Sequence, residues 1–267
     1  MGGFDSAISF GWQTTNTKVR DVAVDPSDDN AVWALRESDG AVVQWKPSSP
    51  PLSTWTPVSK APKGLKRLAI GSLTPAIVEN QIKLGRGPGP WGIPKPAKVR
   101  PAWAVAEDGA VWSNSSGEWT TVPGQLLSVA VAADRTVVGV DTAGYVVRWT
   151  SKGFERLTTD SGWSAAVAVE KAFILALRVD TNSCFRYNGA SWSDYPPPYV
   201  HVGVNAAGVS FGPSAAPGPT YNVFSRYQFN PPKYQYYQST QGVVRVSVGP
   251  TTVWGIDPEH NLLVASL

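Results

Sequence analysis

One cysteine, one methionine and two histidines are all that the 267 residues hold of the side chains that bind soft metals or shuttle protons near neutral pH. Cys184 alone excludes an intrachain disulfide and is compatible with a reducing compartment. His201 and His260 are too few for the usual Cys/His zinc spacings, and nothing near either one supports a serine–histidine–carboxylate triad. There is no G-x-S-x-G elbow and no P-loop lysine motif. The Gly85-x-Gly87-x-Gly89 run has prolines, Pro88 and Pro90, where a phosphate cradle needs backbone N–H groups. The expectation is therefore a chain that is not an enzyme and that needs no metal and no cofactor. No apolar run is long enough to cross a bilayer, so membrane insertion is not expected. The N-terminus lacks a basic segment followed by an apolar one, which predicts a cytoplasmic protein or one released without a secretory signal peptide. Charged residues make up only 16%, and a net charge of +3 calls for no nucleic-acid partner. Asn114-Ser115-Ser116 matches a glycosylation sequon that is expected to stay unused without secretion, and Met1-Gly2 with Ser6 matches a lipidation pattern in form only.

What the chain does have is tryptophan, glycine and short β-branched runs, arranged in a repeat. The stretch from Ala102 to Trp149 holds one pattern and most of it again. A bulky–small–apolar strand (Trp103-Ala104-Val105, then Val138-Gly139-Val140) leads into a glycine turn and a second strand. An aromatic then opens a further strand and an apolar Val-x-Val run follows. The bulky–small marker recurs at Trp33-Ala34-Leu35, Leu175-Ala176-Leu177, Phe211-Gly212 and Trp254-Gly255-Ile256. The opening aromatic recurs at Trp12, Trp55, Trp119, Phe154, Trp192 and, less clearly, Tyr234 to Tyr237. The apolar run recurs at Val22-Ala23-Val24, Leu68-Ala69-Ile70, Val129-Ala130-Val131, Val167-Ala168-Val169, Val202-Gly203-Val204 and Val246-Ser247-Val248.

A period of about 35 to 45 residues built from four short strands marks a propeller blade, which cannot bury its faces alone but can when stacked radially. The expected fold is all-β: a single domain over residues 1–267, a six-bladed β-propeller of four-stranded antiparallel blades. The small residue after each bulky one is expected where blades approach closely. Ala7 to Trp12 has no repeat before it, and Leu262 to Ala265 has no fourth strand after it. The N-terminal strand is thus expected to complete the last blade and remove a free edge. Residues Ser72 to Arg100 form a basic, Pro/Gly-rich insertion in the second blade, carrying Trp91. A seventh blade hidden there is the alternative.

Asp39, Asp108, Asp141, Asp180 and Asp257 fall at repeated turn positions. Most turn aspartates bond their own backbone. Beside repeated aromatics, however, they can also form equivalent sugar pockets, in which C–H faces stack on rings and hydroxyls bond to carboxylates. Weak sites on one ring gain by avidity. The candidate ligand-binding set is those five aspartates with Trp33, Trp103, Trp254 and Trp91, and the expected partners are glycans or glycoconjugates. His201, on the alternate face from Val200, Val202 and Val204, is expected to be structural, and His260 idle in a turn. The competing readings are a protein-interaction scaffold, using Trp91 and the insertion or the tyrosine-rich stretch Tyr221 to Tyr237, and an enzyme of the central cavity.

The repeat resembles the tectonin repeat, most clearly over Ala102 to Val122, Thr136 to Val169 and Thr252 to Val264, with Ala31 to Val58 a fair match. The fourth and fifth repeats depart from the pattern, and the Ser72 to Arg100 insertion is foreign to it. The resemblance implies a multivalent propeller lectin of the fungal or invertebrate defence kind, often cytoplasmic. Tachylectin-like propellers are a neighbouring comparison. Trp33, Trp103 and Trp254 are the tryptophans that match the repeat.

Overall fold

The computed structural model describes residues 8–9, 11–46, 54–72, 100–196, 198–214, 223–228 and 233–267. Every regular element among them is a β-strand. The strands form one four-stranded, one five-stranded and two seven-stranded sheets. Each seven-stranded sheet is two four-stranded units sharing one long strand. Thr120–Val131 pairs through its first half with Ala110–Ser113 and through its second half with Val137–Asp141. Between the halves lies Gly124, whose φ of +123° admits the bend that swings the strand from one unit to the next. The aromatic-opened strand and the following Val-x-Val run, read separately in the sequence, are thus one continuous strand here.

Gln13–Asp25 works the same way and joins the two ends of the chain. Its second half pairs with Asp28–Arg36, while Gln13 and Thr14 pair with Val264 and Leu263 of the last strand, Asn261–Ser266. The end-to-end pairing anticipated for Ala7 to Trp12 is therefore made further along the chain. Ile8–Ser9 instead pairs in parallel with Lys233–Gln238 and gives the five-stranded sheet its extra edge.

The bulky–small–apolar pattern has a simple packing cause. In Asp28–Arg36, four successive residues, Val32, Trp33, Ala34 and Leu35, are buried, which requires both faces of the strand to be covered. Alternation divides them. Val32 and Ala34 pack with Trp254, Ile256 and Leu262, whereas Trp33 and Leu35 pack with Leu65, Leu68 and Ile70. Each core cluster is built in this way from two neighbouring units.

The close approach at the small residues is real, but it lies within a unit rather than between units. A Cβ on Gly139 would collide with the carbonyl oxygen of Ser128 on the paired strand. The fourth apolar run is shifted by one from Val167-Ala168-Val169. Ala166, opposite Ala176, takes the place that Val22 holds opposite Ala34, so the buried pair is Ala166 and Ala168. Irregular pairing at both ends of Trp163–Glu170 accounts for the shift. The tyrosine-rich stretch contributes two paired strands, Val223–Gln228 and Lys233–Gln238. The possible seventh blade falls within residues 73–99, outside the described residues.

Candidate functional site

The turns carrying the predicted aspartates join the second and third strands of their units. Strand reversal places them at the end of the molecule where the innermost strands begin. Backbone bonds between the two kinds of segment confirm this: Glu107 N–H donates to Gly64 O (2.9 Å) and Trp163 N–H to Gly144 O (3.1 Å). One face thus gathers Asp39, Asp108, Asp141, Asp180 and Asp257.

The structure also shows what those carboxylates do locally. Asp108 accepts the Ala110 N–H at 2.9 Å. Asp141 accepts those of Ala143 and Tyr145 at 3.0 and 2.9 Å, with Arg156 Nε at 3.4 Å. Asp257 binds Asn261 through both its N–H and its side-chain amide at 2.8 Å. Asp39 accepts Ala41 N–H at 3.1 Å and the Arg36 guanidinium, which lowers its carboxyl to a pKa of about 2. Each ties its own turn, as short polar side chains do. Asp180, held below the usual carboxylate range chiefly by Arg178, also accepts the Thr181 hydroxyl at 3.4 Å and is exposed to solvent.

The predicted tryptophans are not brought to these carboxylates. Trp33, Trp103 and Trp254 are buried wedges between neighbouring sheets. Trp254 meets Trp45 and Trp55 edge-on at 5.4 and 6.4 Å, and Trp103 meets Trp149 and Phe154 at 5.4 and 6.1 Å. The indole N–H groups of Trp33 and Trp254 have no hydrogen-bond partner among the described residues. The bulky marker of one unit packs against the aromatic markers of the next, so two of the three sequence markers are the two sides of one interface. Trp91 lies outside the described residues.

Two concavities open at or near this face. The first is a groove of about 930 Å³ beside Asp180, lined by Thr159, Asp160, Trp163, Phe185, Trp192 and Asp194 among others. Trp192 is pinned by donating its Nε1–H to Leu157 O at 3.0 Å, and Trp163 by donating to Asp160 O at 3.1 Å. Arg178 lies over the Trp163 ring at 5.3 Å and is ion-paired with both Asp160 and Asp180. Half-buried aromatic rings, three exposed acids and several hydroxyls therefore share one wall. Asp180 was among the expected residues. Trp192 was read only as a repeat marker, and Asp160 and Arg178 were not singled out because their meeting depends on loops 18 residues apart.

The second is a central cavity of about 470 Å³, bounded by the innermost strands, among them segments 21–24, 66–70, 127–131, 164–168, 200–204 and 244–248. Its entrance carries Asp21, Arg67, Ser128, Ala165, His201 and Arg245, all lining residues. Each stands one position before the apolar run of its unit, a place where the sequence alone could have shown the charges. Asp21 accepts Leu68 N–H at 2.8 Å and lies 3.5 Å from Arg245. His201 Nδ1 accepts Val246 N–H at 3.3 Å, the structural role expected of it. Burial, with Arg245 and Arg67 nearby, drives its pKa well below the ordinary histidine value. At the opposite end Arg100 pairs with Asp25 and Asp28, fastening the root of the insertion to the hairpin after the first innermost strand.

No protein-family profile matches the chain, and no curated protein matches it in sequence. Solved structures do match in shape. YCF48 bound to a D1 peptide superposes with a TM-score of 0.59 at 10% identity, covering 99% of both chains. The WD40 propeller domain of Doa1 gives 0.55 at 10% identity over 96% of this chain and 97% of that one. A protein of unknown function from Bacteroides thetaiotaomicron gives 0.56 at 11% identity over 98% and 73%. The fold is a β-propeller. At such identities the likeness concerns the propeller architecture alone. Among the described residues no cluster of three His, Cys, Asp or Glu could hold a metal ion, and no helix is long and apolar enough to cross a membrane.

Proposed function

We propose that this propeller has six blades and is a non-enzymatic carbohydrate-binding protein that reads glycans at the 157–194 groove. The blade count is supported by the inner segments around the cavity and by core clusters that each join two neighbouring units. The observation that carries the function is the meeting of Trp192 and Phe185 with Asp160, Asp180 and Asp194 in one open groove. Pinned rings offer faces for sugar C–H groups, and carboxylates offer directional acceptors for hydroxyls. The wedge role of Trp33, Trp103 and Trp254 argues against equivalent pockets at every blade. The lectin is accordingly of low valency, and binding rests on intrinsic affinity more than on avidity. A protein-interaction scaffold is the second reading, favoured by the similarly sized YCF48 propeller, which was solved with a peptide bound.

The test is a glycan array followed by calorimetry. Wild-type protein should bind one sugar class saturably. Trp192→Ala and the exposed Asp180→Asn should each weaken it at least ~10-fold, about 1.4 kcal/mol, whereas Asp108→Ala should leave it unchanged. Absence of saturable binding by folded protein across a broad array, or equal loss in Asp108→Ala, would overturn the assignment and move it to the scaffold.

A further inference from the structure

The entrance of the central cavity carries an electrostatic imbalance that the fold does not explain. Strand pairing aligns the positions: Val22 lies opposite Ala34, Leu68 opposite Ala104, Val129 opposite Gly139, Ala166 opposite Ala176 and Val246 opposite Gly255. Asp21, Arg67, Ser128, Ala165 and Arg245 immediately precede these residues, and His201 precedes Val202 in the remaining inner segment. Among the lining residues two guanidinium groups thus face one carboxylate, while Glu107, outside the lining, attracts Arg67 less than Asp21 does. Asp21 is already engaged by Arg245 and by the Leu68 N–H. Arg67 donates only to the carbonyl of its neighbour Lys66, at 2.7 Å, and no carboxylate lies within ion-pair distance of it among the described residues. Lys66 does not enlarge the imbalance within the cavity, because its ammonium turns away to Glu107 O at 3.2 Å. His201, with Nδ1 accepting from Val246, is neutral and carries its proton on Nε2 as a further donor. Ser128 Oγ is buried without a hydrogen-bond partner among the described residues. A part-buried, singly bonded guanidinium beside a like charge is costly unless an anion completes it.

We infer that this entrance is a binding site for a small organic acid carrying one carboxylate, held in bidentate fashion by Arg67. Guanidinium geometry matches a carboxylate with two parallel hydrogen bonds. The lining holds one positive charge more than it matches, which a monocarboxylate balances. A phosphate dianion would overshoot it and bring a larger desolvation cost. The volume of about 470 Å³ falls in the ordinary range for small-molecule sites. Ligand enters from the aspartate-turn face. At the far end Pro26, a lining residue, accepts the Ala206 N–H at 3.0 Å and ties two turns across the opening. The site is separate from the 157–194 groove.

The experiment is titration calorimetry of the full chain with benzoate, acetate and inorganic phosphate as probes. Benzoate should bind one-to-one, and Arg67→Gln should weaken it at least ~10-fold. Leu127, a lining residue that is 39% exposed, tolerates enlargement, so Leu127→Trp should obstruct the entrance and abolish binding without unfolding the chain. Trp192→Ala should leave benzoate binding intact, which separates this site from the glycan groove. Failure of folded wild-type protein to bind either carboxylate overturns the inference, as does phosphate binding more tightly than benzoate. Persistence of benzoate binding in Leu127→Trp overturns the location, whatever the fate of Arg67→Gln.

Discussion

At the scale of the residue, this protein uses its few titratable groups mainly as fasteners. His201 shows what that implies for pH. Its folded pKa is below the ~6.5 of an unfolded histidine, because burial and the Arg245 and Arg67 charges oppose protonation. As pH falls through that value the unfolded chain takes up a proton that the folded chain refuses. The stability His201 permits is therefore present above about pH 6.5 and declines below it, by at most about 1.4 kcal/mol per pH unit. Urea unfolding between pH 7.5 and 5 should show this slope, and His201→Gln should flatten it. The structural role of His201 was legible from its place in a Val-x-Val run. Its charged neighbours were not, since Arg67 and Arg245 are distant in sequence and meet it only in the packing of the sheets.

At the scale of the element, the interface between neighbouring sheets is a tryptophan wedge in an aromatic slot. Trp254 fills the slot made by Trp45 and Trp55, and among the described residues its N–H makes no hydrogen bond. Shape and apolar area therefore dominate. Trp254→Ala should destabilise the fold by about 3–5 kcal/mol, and Trp254→Phe by less than about 2 kcal/mol, measured by denaturant unfolding. The same wedge explains why repeated tryptophans invited a ligand-platform reading. In the sequence, an aromatic that packs between sheets and one that stacks on a sugar have the same neighbours, a small residue before a β-branched one. The distinction lies in which face a strand presents to which neighbour. The repeated aspartates are similarly ambiguous. Asp141 and Asp257 bond their own turns, while Asp180, at a comparable place, pairs with Arg178 on the wall that also holds Trp192 and Phe185.

At the scale of the whole molecule, the chain ends are joined through Gln13–Asp25 pairing with Asn261–Ser266. Removing residues 1–18 should leave the last strand with an unpaired edge and strip Trp12 from its contacts with Phe211 and Phe224. The expected result is a melting temperature lowered on the order of 10 °C, with aggregation by light scattering; an unchanged melting curve would refute a structural role for the pairing. The sequence by itself determined the all-β class, the four-strand repeat and, a few residues out of place, the pairing of the N-terminal segment with the last strand. Those features rest on local alternation and turn chemistry, which each segment carries independently. Only the tertiary structure decided that the marker tryptophans are interior wedges, that Asp180 shares a groove with Phe185 and Trp192, and that Asp21, Arg67, His201 and Arg245 line one cavity. These are consequences of how the sheets pack on one another, which brings together residues whose separation in the chain carries no trace of their proximity.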